Sequence, residues 1–233
     1  PNNATATIIG DFETDTTLSL IARYFGEHKK SGHEIPQVYT EEPQQEGPRR
    51  IVVKRSGQSG ITAVAHKTPP GLDVDMYAFQ VLGKILCDGK SSRLYKKIVD
   101  QGLATSLFMY DFPFKDNGLF ITYAFLTPDT NNKEVEDIIL NEYNNIISNG
   151  VEDSEIMRAV AQIRASVAFS RDGSYAVASA LNEAIAIGDW EFYTTYVEKI
   201  ELVSAKDIKR VAAKYLTEDQ STVGWFIPKN KSK

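Results

Sequence analysis

Apolar residues recur at two periods along this chain. Leu18, Ile21 and Tyr24/Phe25 repeat at three-to-four spacing and predict a helix over 14–25. The same spacing predicts helices over 73–86 (Met76, Phe79, Leu82, Ile85/Leu86), 134–148 (Val135, Ile138/Ile139, Tyr143, Ile146/Ile147) and 153–169 (Ile156, Val160, Ile163, Val167). Two more follow over 174–187 and 204–216, the last opened by Ser204 and Asp207 in capping-box spacing. Gly150 and Gly188 are the expected stops. Short β-rich runs lie between them: "ATATIIG" (4–10), "RIVVKR" (50–55), "GITAVAHKTP" (60–69), "LATSLFMYDF" (103–112), "GLFITYAFL" (118–126) and "STVGWFI" (221–227). The pairs at 50–69 and 103–126 are separated by turn-forming residues and read as hairpins. Neighbouring strands on short turns imply a mostly antiparallel sheet, and one-striped helices must bury their stripes on one face of it. The expected fold class is therefore α+β, a sheet covered on one face by helices.

Composition changes sharply once. "GEHKKSGHEIPQVYTEEPQQEGPRR" is rich in Pro, Gly and charge and reads as a linker laid over a surface. It divides a strand–helix unit (1–26) from a main α+β domain (50–233), with 27–49 as the link. With 233 residues and 42% apolar content, the chain can bury a full core. Its net charge of −5, with no basic stripe, argues against nucleic acid as partner. No apolar run is long enough to span a membrane. The single cysteine, Cys87, permits no internal disulfide and ends an apolar helix, as a small buried hydrophobe would. The chain opens on Pro1-Asn2-Asn3, without an initiator methionine, and reads as a piece of something longer.

The candidate chemistry begins at "DGKSSRLY" (88–95), where Gly-Lys-Ser looks like the end of a phosphate-binding loop. That motif needs a first glycine at position 84; Lys84 stands there, with Gly83 one residue away, and a helix rather than a strand precedes it. The plainer reading is a polar turn in which Ser91 or Ser92 caps a short helix over 93–100. His28 and His33 lie in the linker without zinc-binding spacing, and His66 ends a strand alone, where histidine is usually structural or exposed. "GQSG" lacks the last glycine of a nucleophile elbow, since Ile61 stands there. The Glu41/Glu42 pair reads as solvation. Phe108, Tyr110, Phe112, Phe114, Phe120, Tyr123 and Phe125 crowd one hairpin. Core packing is the plain account of them. An exposed sheet face or edge that holds an extended peptide by strand addition is the functional one. The residues alone supply no complete active site.

Four segments, in order, carry a resemblance over nearly the whole chain. "PNNATATIIGDFETDTTLSLIARYFG" resembles the strand–helix that closes the first homologous domain of the pitrilysin/insulinase-type zinc peptidases. The Pro/Glu-rich link into "RRIVVKR", the stretch "LGKILCDGKSSRLYKKIVDQGLATS" and the closing "EKIELVSAKDIKRVAAKYLTEDQSTVGWFIP" are similar to the link, the signature and the end of the second. The resemblance implies a clam-shell peptidase in which two similar domains or subunits enclose a peptide or small protein substrate. Zinc and the general base would sit on a His-x-x-Glu-His helix upstream, so this chain would hold no metal or cofactor itself. Relatives steady the substrate carbonyl with an Arg and a Tyr from the second domain. The Tyr position falls on Thr105 and the Arg position on Ile98 or Val99, so that pair is not preserved. "DGKSSRLY" is similar to the glycine-rich loop that approaches the chamber, which makes Lys90 and Arg93, with Thr105, the candidate substrate-binding residues. Many bacterial relatives are envelope proteins, which favours the periplasm or cell envelope.

The function expected is thus the substrate-enclosing C-terminal domain of a zinc endopeptidase, inactive on its own. A non-catalytic homologue serving as partner subunit or assembly scaffold is the alternative. A free-standing peptide-binding module lies outside the family and fits the incomplete site poorly.

Overall fold

The computed structural model describes residues 2–36 and 43–229; the Glu41/Glu42 pair lies outside them. Five strands form one sheet in the order β1-β5-β2-β4-β3: β1 (Arg49–Ser56), β2 (Ile61–Lys67), β3 (Ala104–Tyr110), β4 (Leu119–Leu126) and β5 (Ser221–Lys229). Every pairing is antiparallel except β1 with β5, so the expected α+β class and mostly antiparallel sheet stand. The hairpin expected over 50–69 does not form: β1 and β2 are consecutive in sequence but not adjacent, because the closing strand β5 inserts between them.

Period-two alternation sorts the sheet into two faces. Thr62, Val64 and His66 of β2 and Phe120, Thr122, Ala124 and Leu126 of β4 point into the helix layer and are buried. α2 (Val74–Cys87) and α3 (Asn132–Asn149) lie on this face beside α7 (Ala205–Tyr215). α4 (Asp153–Ser170) and α6 (Glu191–Glu201) close over α2, and α5 (Ser174–Ile187) packs on α6. α2 is therefore enclosed nearly all round, which is why Met76, Phe79, Leu82, Ile85 and Leu86 form the centre of the core. Asp73 caps it by accepting from the Asp75 amide. The buried Asp75 carboxylate ties its first turn to α7, accepting from Arg210 at 2.6 Å and from Lys214 and Tyr215 at 3.0 Å. α6 was not singled out by the sequence, although Phe192, Tyr196 and Ile200 carry its period.

Two further local expectations change. The run at 4–10 is not a strand; no described strand pairs with it, and a strand exists only as part of a ladder. It is followed by α1 (Thr14–Phe25), which buries no residue and exposes Leu18, Tyr24 and Phe25. The helix expected over 93–100 is a short helical turn that widens into a π-helix at Tyr95–Val99. Ser92 does not cap it by accepting: its hydroxyl donates to the Gly89 carbonyl at 2.8 Å, closing the turn behind it. Gly89 sits at φ +75°, a conformation that glycine adopts without strain. The capping box at Ser204/Asp207 and the stops at Gly150 and Gly188 form as expected.

Candidate functional site

The loop after α2 places its two cations differently. Lys90 is exposed on the turn. Arg93 turns inward to the seam between α3 and α4. Its Nε and Nη2 donate to the Glu155 carboxylate at 2.7 and 2.5 Å, and its Nη1 donates to Glu142 at 3.0 Å. Glu142 is 1% exposed and also accepts from Lys97 and Asn145. These bonds hold both carboxylates in the charged form, outweighing the burial that would raise their pKa values, and they push the Arg93 guanidinium further up. Arg93 therefore anchors the loop to the helix layer, and a polar cleft of about 580 Å³ opens beside it.

Thr105 lies on β3, exposed, and its hydroxyl donates to the Phe125 carbonyl at 3.2 Å. Ile98 is wholly buried, whereas Val99 is only partly so. No phenol and no cation stands at these positions. His28 and His33 are exposed in the linker. His66 is buried instead, edge-on to Tyr143 at 5.5 Å, with neither ring nitrogen in a hydrogen bond. Burial pushes its pKa down to about 4, the Thr217 main chain offsetting part of the effect. Cys87 is buried in α2, 3.9 Å from the Thr122 hydroxyl, and burial raises its thiol pKa. Among the described residues, no group of three or more His, Cys, Asp or Glu side chains is placed to hold a metal ion. None of the described helices is long and apolar enough to cross a membrane.

What the structure brings together is the other face of the sheet. Of the hairpin aromatics only Phe120 joins the core. Phe108, Tyr123, Ala63, Gly224 and Ile51 align across all five strands on the open face. Phe108 stacks on Tyr123 at 5.5 Å and meets Phe125 edge-on at 6.1 Å, while Tyr110 leans on Phe112 at 4.7 Å. Core packing thus accounts for Phe120, whereas Phe108, Tyr110, Tyr123 and Phe125, with Phe112 against Tyr110, build an apolar platform that no described helix covers. Patches of this kind mark contact surfaces. The platform ends at β3, which among the described strands pairs only with β4. β3 carries no charge and no proline ("ATSLFMY"), so nothing in its sequence blunts the free edge.

Three residues bordering β3 escaped the sequence reading. Asp111 follows the strand; its carboxyl is largely buried, and burial raises its pKa to about 6 against the opposing pull of Lys84. Gln80 donates to the Asp111 carbonyl at 2.6 Å and accepts from the Tyr196 hydroxyl at 3.1 Å. Gly83 sits mid-helix in α2, where an added Cβ would come within 2.9 Å of the Asp111 carboxylate and of the Met109 sulfur. The available signals were a glycine inside a strong helical period and a lone Asp inside an aromatic run.

This geometry belongs to a known lineage. The peptidase M16 inactive domain profile matches residues 1–163. The zinc protease PqqE of Helicobacter pylori is 25% identical over 231 residues, which is 98% of this chain and 52% of that protein. The crystal structure of a protease from Helicobacter pylori superposes at TM-score 0.88 with 25% identity, covering 94% of this chain and 54% of that one. A peptidase M16 inactive domain from Pseudomonas fluorescens shares the fold at TM-score 0.78 and 14% identity, over 95% of this chain and 52% of that one. The chain therefore spans about half the length of these relatives. It is an inactive C-terminal-type domain, and it belongs to the peptidase M16 inactive domain family.

Proposed function

We propose that this chain is the substrate-enclosing half of a zinc-dependent endopeptidase. In that reading the aromatic sheet face and the β3 edge face the peptide, and the metal is held by a preceding domain. The carrying observation is the open face itself: a sheet with one side in the core, the other aromatic and left bare by the described helices, and an edge strand, β3, whose outer side pairs with no described strand. An extended peptide added to β3 would gain main-chain hydrogen bonds and lay alternate side chains on the platform. Lys90 stands where it can meet incoming peptides. Arg93 acts through the loop it holds, and Thr105 offers the only polar side chain at the position that resemblance assigns to a tyrosine.

Residues 1–26 fit the preceding domain better than this one. The run at 4–10 has no partner among the described strands, and no residue of α1 is buried. Their described polar tie to the helix layer is Thr7 to Asn182 at 2.5 Å. An envelope location is part of the same proposal, and cell fractionation with an antibody to this chain tests it.

The decisive measurement is zinc content and peptide cleavage of the full-length protein beside this chain. Zinc and cleavage in the long form alone are expected; zinc in this chain, or neither property in either, rejects the reading. In the active protein, Lys90→Ala is expected to change KM for charged peptides, and unchanged turnover removes Lys90 from the site. A second reading, a non-catalytic partner or scaffold, is favoured by one observation: buried Ile98, half-buried Val99 and hydroxyl-bearing Thr105 replace the Arg and Tyr of the peptidases. A metal-free full-length protein that copurifies with a metal-binding homologue is its expected signature.

A further inference from the structure

A cleft of about 240 Å³ opens between α2 and the β3 edge, on the helix side of the strand. Gln80, Gly83, Lys84, Cys87, Met109 and Asp111 are among its walls. Its charges do not cancel. Lys84 is paired with Asp88 at 2.6 Å, one turn along α2. The Asp111 carboxylate, among the described residues, makes no ion pair. Cys87 and Tyr196, the other titratable groups around it, stay neutral because burial raises both. One cation against two carboxylates leaves the cleft one positive charge short of neutrality.

The carboxylate is also held in place. Gln80, itself fixed by the Tyr196 hydroxyl, grips the Asp111 main chain. Gly83 leaves the space that the carboxylate fills, although a glycine inside a helix costs about 1 kcal/mol relative to alanine. A largely desolvated carboxylate with no ion-pair partner is unfavourable, and an arriving cation relieves it.

We infer that this cleft is a subsite for one cationic side chain, lysine or arginine, of a peptide lying along the β3 edge, with Asp111 as its counter-ion. The inference rests on the strand-addition reading above. In an added strand, side chains alternate between the two faces. The residue entering the cleft is therefore flanked by residues that lie on Phe108 and Tyr110. The preferred ligand is a basic residue between apolar or aromatic neighbours, in an extended segment.

The test uses the 233-residue chain and two capped, end-labelled peptides of alternating Val and Thr, one with a central lysine and one with norleucine in its place. Fluorescence anisotropy at about pH 8 is expected to show the lysine peptide binding roughly tenfold tighter, the scale of one charge-assisted contact. Asp111→Asn, a near-isosteric change whose folding is checked by thermal melting, is expected to equalise the two. In the unmodified protein the preference is expected to vanish near pH 5, below the range where Asp111 protonates, a readout that needs no variant. Equal binding of both peptides by the unmodified protein, or a preference that survives Asp111→Asn, overturns the cation subsite while leaving the edge reading intact. If neither peptide binds, both fall. Phe108→Ala separates the two further: it is expected to weaken both peptides by the same factor.

Discussion

At the residue scale, burial decides which side chains act and which only hold. His66 shows the sign. Its folded pKa of about 4 lies below the unfolded 6.5, so the fold favours the neutral ring. The stability this provides is complete above pH 6.5 and is lost as pH falls toward 4. At about 1.4 kcal/mol per pKa unit, the loss approaches 3 kcal/mol at pH 4. Denaturant melts of the natural protein and His66→Leu across that window are expected to show their stability difference changing by this amount; a constant difference would contradict the buried, unbonded ring. Arg93→Ala is expected to cost about 3 kcal/mol, because Glu142 stays buried with only Lys97 and Asn145 beside it. Lys90→Ala is expected to leave the melting temperature unchanged. The sequence placed both cations in one loop correctly, but sequence spacing carries no information on which carboxylates a side chain will reach across 49 and 62 residues.

At the scale of elements, the hairpin of β3 and β4 shows what period-two alternation can and cannot tell. It divides the hairpin aromatics about evenly between the faces, yet only Phe120 turns into the core, while Phe108 and Tyr123 pair on the other face. It cannot say that one face is left bare, since that depends on where the helices settle. Phe120→Ala is expected to destabilise by about 4 kcal/mol through lost transfer energy and the cavity left behind. Phe108→Ala, on the open face, is expected to cost about 1 kcal/mol. Thermal melts of the two variants compare the faces directly, and equal costs would mean that the open face is covered in this chain. The run at 4–10 shows the opposite failure. Its composition is that of a strand, but strand formation is a property of a pair, and no partner is present among the described strands. The helical stretches were more legible because an α-helix satisfies its own backbone. Caps and stops written in local sequence, such as Ser204/Asp207 and Gly150, therefore came out as read.

At the scale of the whole molecule, the described residues form a sheet layered with helices on one face, with no further described strand at either sheet edge and a poorly packed N-terminal arm. β1 is exposed along its whole length. Arg50 of that strand nonetheless clamps it to α3 through a two-pronged pair with Glu136 at 2.7 and 2.6 Å, stacked over Trp225 at 4.6 Å. A chain beginning at Pro43 is expected to melt within a few degrees of the 233-residue one, because no residue of α1 is buried. A large drop would place 1–26 within this fold rather than with a preceding domain.

The sequence by itself determined the α+β class, the helix and strand inventory apart from α6 and the run at 4–10, and membership of the M16 lineage. All of these are written in local periodicity or in ordered short motifs. Only the tertiary structure decided that β5 enters between β1 and β2, that Arg93 is bound inward, that His66 is buried against the Tyr143 ring, and that Asp111 makes no ion pair among the described residues at the β3 edge. Each depends on groups far apart in sequence meeting at a few ångströms. The energy of such meetings comes from desolvation and pairing, which exist only once the layers have closed.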